Sequence, residues 1–182
     1  MLRDTTLPGI APANRRQLEI IATGLPLARG VPLGCDVTLV SPLHTNGSPW
    51  RGADTQHSVA IERGERDKAA TYPELVNSDQ VLLRTLACEV GGRWSTECLR
   101  TVRELASAKA RAAPAHLRQA ARSAWQSRWW ALLSVAVQDS LAATLVEDAL
   151  PTLDGHDGAE PELTEVLLDV SASPAPSRLP LR

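Results

Sequence analysis

Phenylalanine is absent from this sequence, and Tyr72 is its only tyrosine. Its large aromatic surface therefore rests on Trp50, Trp94, Trp125, Trp129 and Trp130, the last three close enough in sequence to mark a local packing centre. Cysteine is scarce as well. Cys35, Cys88 and Cys98 are odd in number and include no close pair, which excludes a disulfide framework and a zinc knuckle. Cys35 and Cys88 stand in apolar runs, where a free thiol behaves as a small buried hydrophobe, so a reducing, intracellular setting is expected. No basic stretch followed by an apolar one opens the chain, which argues against a signal peptide. Long apolar runs are also missing. The stretch from Trp129 to Val146 comes closest, but Ser134, Gln138, Asp139, Ser140 and Thr144 interrupt it, so no membrane association is expected. His44, His57, His116 and His156 show no ligand spacing, and Gly91-Gly92 is too short to cradle a phosphate.

What is present is ordinary globular material. The 182 residues suit one domain with extensions, and 43% apolar with 22% charged residues provide for a packed core. Residues 1–13 read as an irregular leader broken by Pro8, Gly9 and Pro12. Residues 16–23 and 33–41 are short β-rich apolar runs separated by Gly24, Pro26 and Gly30, the pattern of a β-hairpin. A surface loop follows over 42–57. A helix is expected over 58–72, capped by Ser58 and stopped by Pro73. Residues 80–89 read as a third strand ended by Gly91-Gly92, with Ser95 placed to cap a helix over 96–112. Pro114 suits the first turn of a long Ala-rich helix to about residue 149. Residues 151–182, acidic and Pro-rich, read as a disordered tail with a short helix at 162–169. The expected fold is a mixed α/β (α+β) core over 14–112, built on a hairpin, a helix and a third strand. A helical layer over 113–150 follows the core.

Three features could carry chemistry. If the hairpin turn is centred between Leu27 and Ala28, Glu19 lies opposite Asp36. Cross-strand Cβ atoms are roughly 4.5–5.5 Å apart, and two carboxylates at that spacing repel unless a cation lies between them. Mg²⁺ with waters would suit such a pair; the plainer reading has both acids facing solvent at a sheet edge. Next, Ile61, Gly64 or Glu65, Lys68 and Tyr72 share one helix face. Ile61 would turn that face to the sheet, and Lys68 would then reach toward the carboxylates; otherwise Lys68 joins Glu65, Arg66 and Asp67 on a solvated face. Finally, charge is segregated. From Arg84 to Arg128 nine basic residues face three acids, whereas Asp139 to Asp169 holds nine acids and no base. Among the basic residues, Arg93, Arg100, Arg103, Lys109, Arg111, Arg118 and Arg122 are candidates for a DNA backbone; solvated helix faces would look the same. The tryptophans could stack on bases, or simply form core.

In order, CDVTLVSP on a strand, KAATYPEL ending a helix and EVGGRW after a strand resemble the restriction-endonuclease-like domain that follows the reverse transcriptase in certain non-LTR retrotransposon proteins. The resemblance covers roughly residues 15–112. It implies a PD-(D/E)XK fold and metal-dependent cleavage of DNA. It assigns Asp36 and the first-strand acid, here Glu19, to the metal, and Lys68 to the attacking water or phosphate, with Tyr72 beside it. Leu18-Glu19 stands where the family carries Pro-Asp, and no reverse transcriptase precedes the domain, so the chain looks like a detached piece. A nuclear location is expected if the resemblance holds, and a cytoplasmic one otherwise. Two other readings stay open. One is a non-catalytic nucleic-acid-binding remnant using the basic helices. The other is a protein-interaction module in which the 114–149 helix docks a partner.

Overall fold

A computed structural model describes residues 18–27, 30–145 and 160–172. The expected leader at 1–13 and much of the expected tail lie outside the described residues. The chain forms two compact units, Met1–Thr101 and Val102–Arg182.

The first unit holds a three-stranded mixed sheet in the order β1-β2-β3. β1 (Ile20–Ala22) pairs antiparallel with β2 (Leu33–Val40), Ile20 opposite Cys35 and Ala22 opposite Leu33. This is the register expected from a turn between Leu27 and Ala28. β3 (Leu82–Glu89) pairs parallel with β2 along eight residue pairs, from Leu33 with Leu82 to Val40 with Glu89. Parallel neighbours need a crossover between them. Here the crossover contains α1 (Val59–Thr71) and the short α2 (Pro73–Val76). Pro73 disfavours helical geometry at Tyr72, whose φ of −126° ends α1.

Alternation sorts β2 between two faces. Asp36, Thr38 and Val40 look toward α1, which lies so close that a Cβ on Gly64 would stand 2.8 Å from Val40 Cγ1 and 3.4 Å from Thr38 Cγ2. Ile61 and Gly64 are buried there. Tyr72, Leu75 and Val81 form the core on this face, with Leu18, Ile21 and Leu83 packed against them. On the opposite face, Cys35 is paired in register with Arg84. The buried Arg84 guanidinium reaches Glu97 at 3.0 Å and donates to Thr101 Oγ1 at 2.8 Å, tying the start of α3 (Thr96–Ala110) to the sheet.

Two helix caps behave differently. Ser95 performs as expected, its Oγ accepting from Cys98 N at 3.1 Å. Ser58 does not. It sits in the left-handed region, φ 69°, and makes no side-chain cap bond; its carbonyl alone serves the helix, accepting from Glu62 N. Between β3 and α3, Val90-Gly91-Gly92 is a three-residue hairpin loop. Gly92 has φ +85°, and Glu89 N and Arg93 O close the loop at 2.8 Å.

The second unit is helical. After the end of α3, a 3₁₀ turn (Ala115–Leu117) follows Pro114, and α4 runs unbroken from Arg118 to Leu145. α5 (Leu163–Ala172) packs against α4. Ala106, Ala110, Ala113, Ala121, Ala124, Trp125 and Val166 form the core, with Trp129, Leu163 and Leu167 at its margin. α5 falls where a short helix was expected within the tail, and its Val166 is fully buried. The boundary between the two compact units lies inside α3. Arg84 holds the helix start to the sheet, whereas Ala106 and Ala110 near its end belong to the helical core. No helix among the described residues is long and apolar enough to cross a membrane.

Gly64→Ala tests the contact between α1 and the sheet. Alanine favours helix by about 1 kcal/mol, but a stiff β-branched Val40 opposes the new methyl, and overpacking costs about 1–3 kcal/mol. A net loss of about 1 kcal/mol in urea denaturation is expected, growing with Gly64→Val.

Candidate functional site

Asp36 is an anion built into the middle of a strand. Its neighbours along β2 fix its side chain on the α1 face, where it is 2% exposed. Burying a carboxylate is costly unless a partner compensates. Lys68, in the last turn of α1, supplies that partner: its Nζ donates to Asp36 Oδ1 at 2.7 Å. The helix face expected to carry Ile61, Gly64 and Lys68 to the sheet does so. Asp36 Oδ2 is buried and has no hydrogen-bond partner among the described residues. Burial acts to lower the Lys68 pKa, but the hydrogen bond and charge of Asp36, helped by Glu19 and Tyr72, outweigh it and leave the ammonium above its ordinary value. Lys68 is thus a fixed cation at neutral pH.

Glu19 is the first-strand acid, and the sheet register would set it opposite Asp36 one residue beyond the end of β1. The chain instead bends there. The bend swings Leu18 onto the α1 face, over Gly34, where continued β geometry would have sent it to the other side. Glu19 Oε2 then accepts the hydrogen bond of Val37 N, taking the place of a strand carbonyl at the sheet edge. Glu19 is exposed, and its charge is still felt by Lys68. Glu19, Asp36 and Lys68 therefore share one neighbourhood, although Glu19 occupies the edge rather than a place within the sheet. Tyr72 follows one turn after Lys68, but its ring is buried in the core beside Leu75 and Val81.

No group of three or more His, Cys, Asp or Glu among the described residues is placed to hold a metal ion. An ion here would rest on the two carboxylates, backbone and water. That is a donor set of hard oxygens, and Mg²⁺, which keeps several waters, tolerates it. The orphaned Oδ2 of Asp36 and the excess of one negative charge over Lys68 fit such an ion.

The basic candidates divide between the units. Arg93 and Arg100 belong to the first; Arg103, Lys109, Arg111, Arg118 and Arg122 belong to the second. Arg93 lies 3.5 Å from Glu89. Arg100, Arg103, Arg111 and Arg122 are exposed. Arg118 donates from Nε to Ala113 O, helping to start α4. Lys109 is committed inside its own unit: it pairs with Glu160 at 2.5 Å and lies over the Trp125 ring, 5.2 Å from the centroid. Arg84, which contributes to the basic excess in sequence, is buried in its ion pair and offers nothing to a ligand surface. Its position inside an apolar strand was the available signal. Trp125 is core, as helical spacing suggested. Glu65, weighed in sequence as an alternative to Gly64 on the α1 face, lies near Ser95 and Glu97. Burial raises its pKa, a hydrogen bond from Ser95 lowers it, and Glu97 and Glu62 raise it further, the sum being upward.

No family model, curated protein or solved structure matches the chain. The site is therefore read from its own geometry.

Lys68→Met leaves Asp36 buried without its cation. A loss of about 2–3 kcal/mol is expected, less than for a wholly buried pair because Lys68 keeps some solvent contact. The folded-state pKa of Lys68 is raised, so its contribution is complete at neutral pH and fades as pH climbs through that value. Melting curves of wild type and Lys68→Met should differ by a constant gap up to the ordinary lysine pKa of about 10.4 and converge only above it.

Proposed function

We propose that the first unit is a metal-dependent DNA endonuclease domain of the PD-(D/E)XK type, derived from a non-LTR retroelement protein. The observation that carries this reading is the contact between Lys68 and Asp36. A lysine on the crossover helix meets an acid at the centre of β2, and that acid keeps one oxygen free. The order of elements supports it: a hairpin, a covering helix and a parallel third strand running into Gly91-Gly92-Arg93-Trp94.

In this reading Asp36 and Glu19 hold Mg²⁺. Once bound, the ion lowers the pKa of a coordinated water and neutralises charge on the scissile phosphate. The protein's own groups have separate tasks. Asp36 is fixed by the sheet and by Lys68, which hold its unpartnered Oδ2 in one orientation. Lys68, cationic throughout the neutral range, stabilises charge developing on the phosphate rather than accepting a proton. Tyr72 holds the end of α1 in the core and so positions Lys68. Arg100, exposed on the part of α3 that belongs to this unit, adds positive charge that a DNA backbone would meet.

Nicking of supercoiled plasmid by the full chain tests this, with Mg²⁺ or Mn²⁺ and with chelator. Cleavage that requires the ion and falls by about 100-fold or more in Asp36→Asn and Lys68→Met is expected. Circular dichroism of each variant checks that the fold persists. Nicking that survives Asp36→Ala would refute the assignment. DNA binding with a steep salt dependence and no cleavage by the folded wild type would instead identify a non-catalytic binding remnant.

A further inference from the structure

We infer that α4 pairs antiparallel with α4 of a second copy of this chain. From Trp129 to Leu145 this helix carries a single charge, Asp139. Beyond Trp129 it leaves its own core: none of residues 131–145 is buried, and Leu132, Val135 and Leu145 are 49%, 53% and 83% exposed. The side of α4 that is buried at Ala121, Ala124 and Trp125 continues at helical spacing through Arg128, Leu132, Val135 and Asp139. Nothing among the described residues covers Leu132 and Val135, so an apolar stripe prepared for burial stands open.

The spacing of that stripe decides what fits it. Steps of four, three and four residues separate Arg128, Leu132, Val135 and Asp139, so the pattern reads the same in reverse about a point between Leu133 and Ser134. A second α4 laid antiparallel places Leu132 against the partner's Val135. The same register sets Arg128 against the partner's Asp139, twice over, as a twofold axis requires. A parallel arrangement would set arginine on arginine and aspartate on aspartate. Asp139 is exposed and has no ion pair among the described residues. Arg128 holds Asp169 at 3.3 Å through Nη1 and keeps further guanidinium donors for a second carboxylate. Ala131, Ala136, Ala142 and Ala143 keep side chains short along this part of the helix, which suits close helix packing.

The stripe is about 17 Å long, at 1.5 Å of rise per residue. It falls short of the roughly 800 Å² per partner of a standard interface, so the dimer is weak and concentration-dependent. It lies wholly in the second unit and stands or falls independently of the nuclease reading.

Sedimentation of the full chain over about 1–500 µM tests it, a range that brackets weak self-association. A monomer–dimer equilibrium is expected. Asp139→Arg should raise the dissociation constant by about tenfold or more, most strongly at low salt, and Val135→Lys should leave monomer throughout. Unchanged far-ultraviolet circular dichroism shows that α4 itself is intact in both. A wild-type monomer across the whole range, or a dimer indifferent to either substitution, overturns the proposal.

Discussion

The first unit depends on the parallel pairing of β2 with β3. Parallel strands cannot be joined by a tight turn, so their pairing obliges the chain to make a crossover, and the crossover delivers α1 onto one sheet face. Everything at the candidate site follows from that placement. Gly64 sets the distance between helix and sheet, and the helical repeat then brings Lys68, four residues on, over Asp36. The buried carboxylate is tolerable only because the cation arrives from the same element that covers it. Sheet topology, helix distance and the ion pair are thus one linked arrangement.

The opposite sheet face repeats the logic with other groups. Arg84 is a cation built into β3, and Glu97 and Thr101 at the start of α3 answer it. The sheet carries a buried anion on one side and a buried cation on the other, each matched by a different helix. Interactions of this kind add little net stability against an apolar alternative, but breaking one is costly, and they fix which helix packs where.

Much of this was legible in the sequence because it is local or periodic. A turn centred between Leu27 and Ala28 was enough to give the hairpin register, and helical spacing placed Lys68 on the face with Ile61 while leaving open whether that face met the sheet. Ser95 announced its helix. What escaped depended on tertiary context. Serine before a helix usually caps it, yet Ser58 enters α1 from a left-handed backbone conformation that denies its hydroxyl the cap geometry. The end of β1 was set by competition: Leu18 packs on the core face, and the resulting bend moves Glu19 to the sheet edge. No alternation pattern records that choice. Lys109 and Arg84 counted as basic charge in sequence, but their partners, Glu160 and Glu97, are identified only by packing. The short helix expected at 162–169 is there as α5, but its packing on α4 through Val166 is a tertiary fact that no local pattern records.

The thiols have a practical consequence. Cys35, Cys88 and Cys98 are the chain's three cysteines, and all are buried within the first unit. Burial pushes Cys35 up to about 11 and Cys98 up to about 12, and raises Cys88 as well. Thiolate is the reactive form, so alkylating reagents at neutral pH meet an inert protein until the sheet opens. Three of the five tryptophans, by contrast, lie in the second unit. Thiol labelling therefore clocks the opening of one unit while indole fluorescence is weighted toward the other, giving the native chain separate gauges for two parts that share a helix.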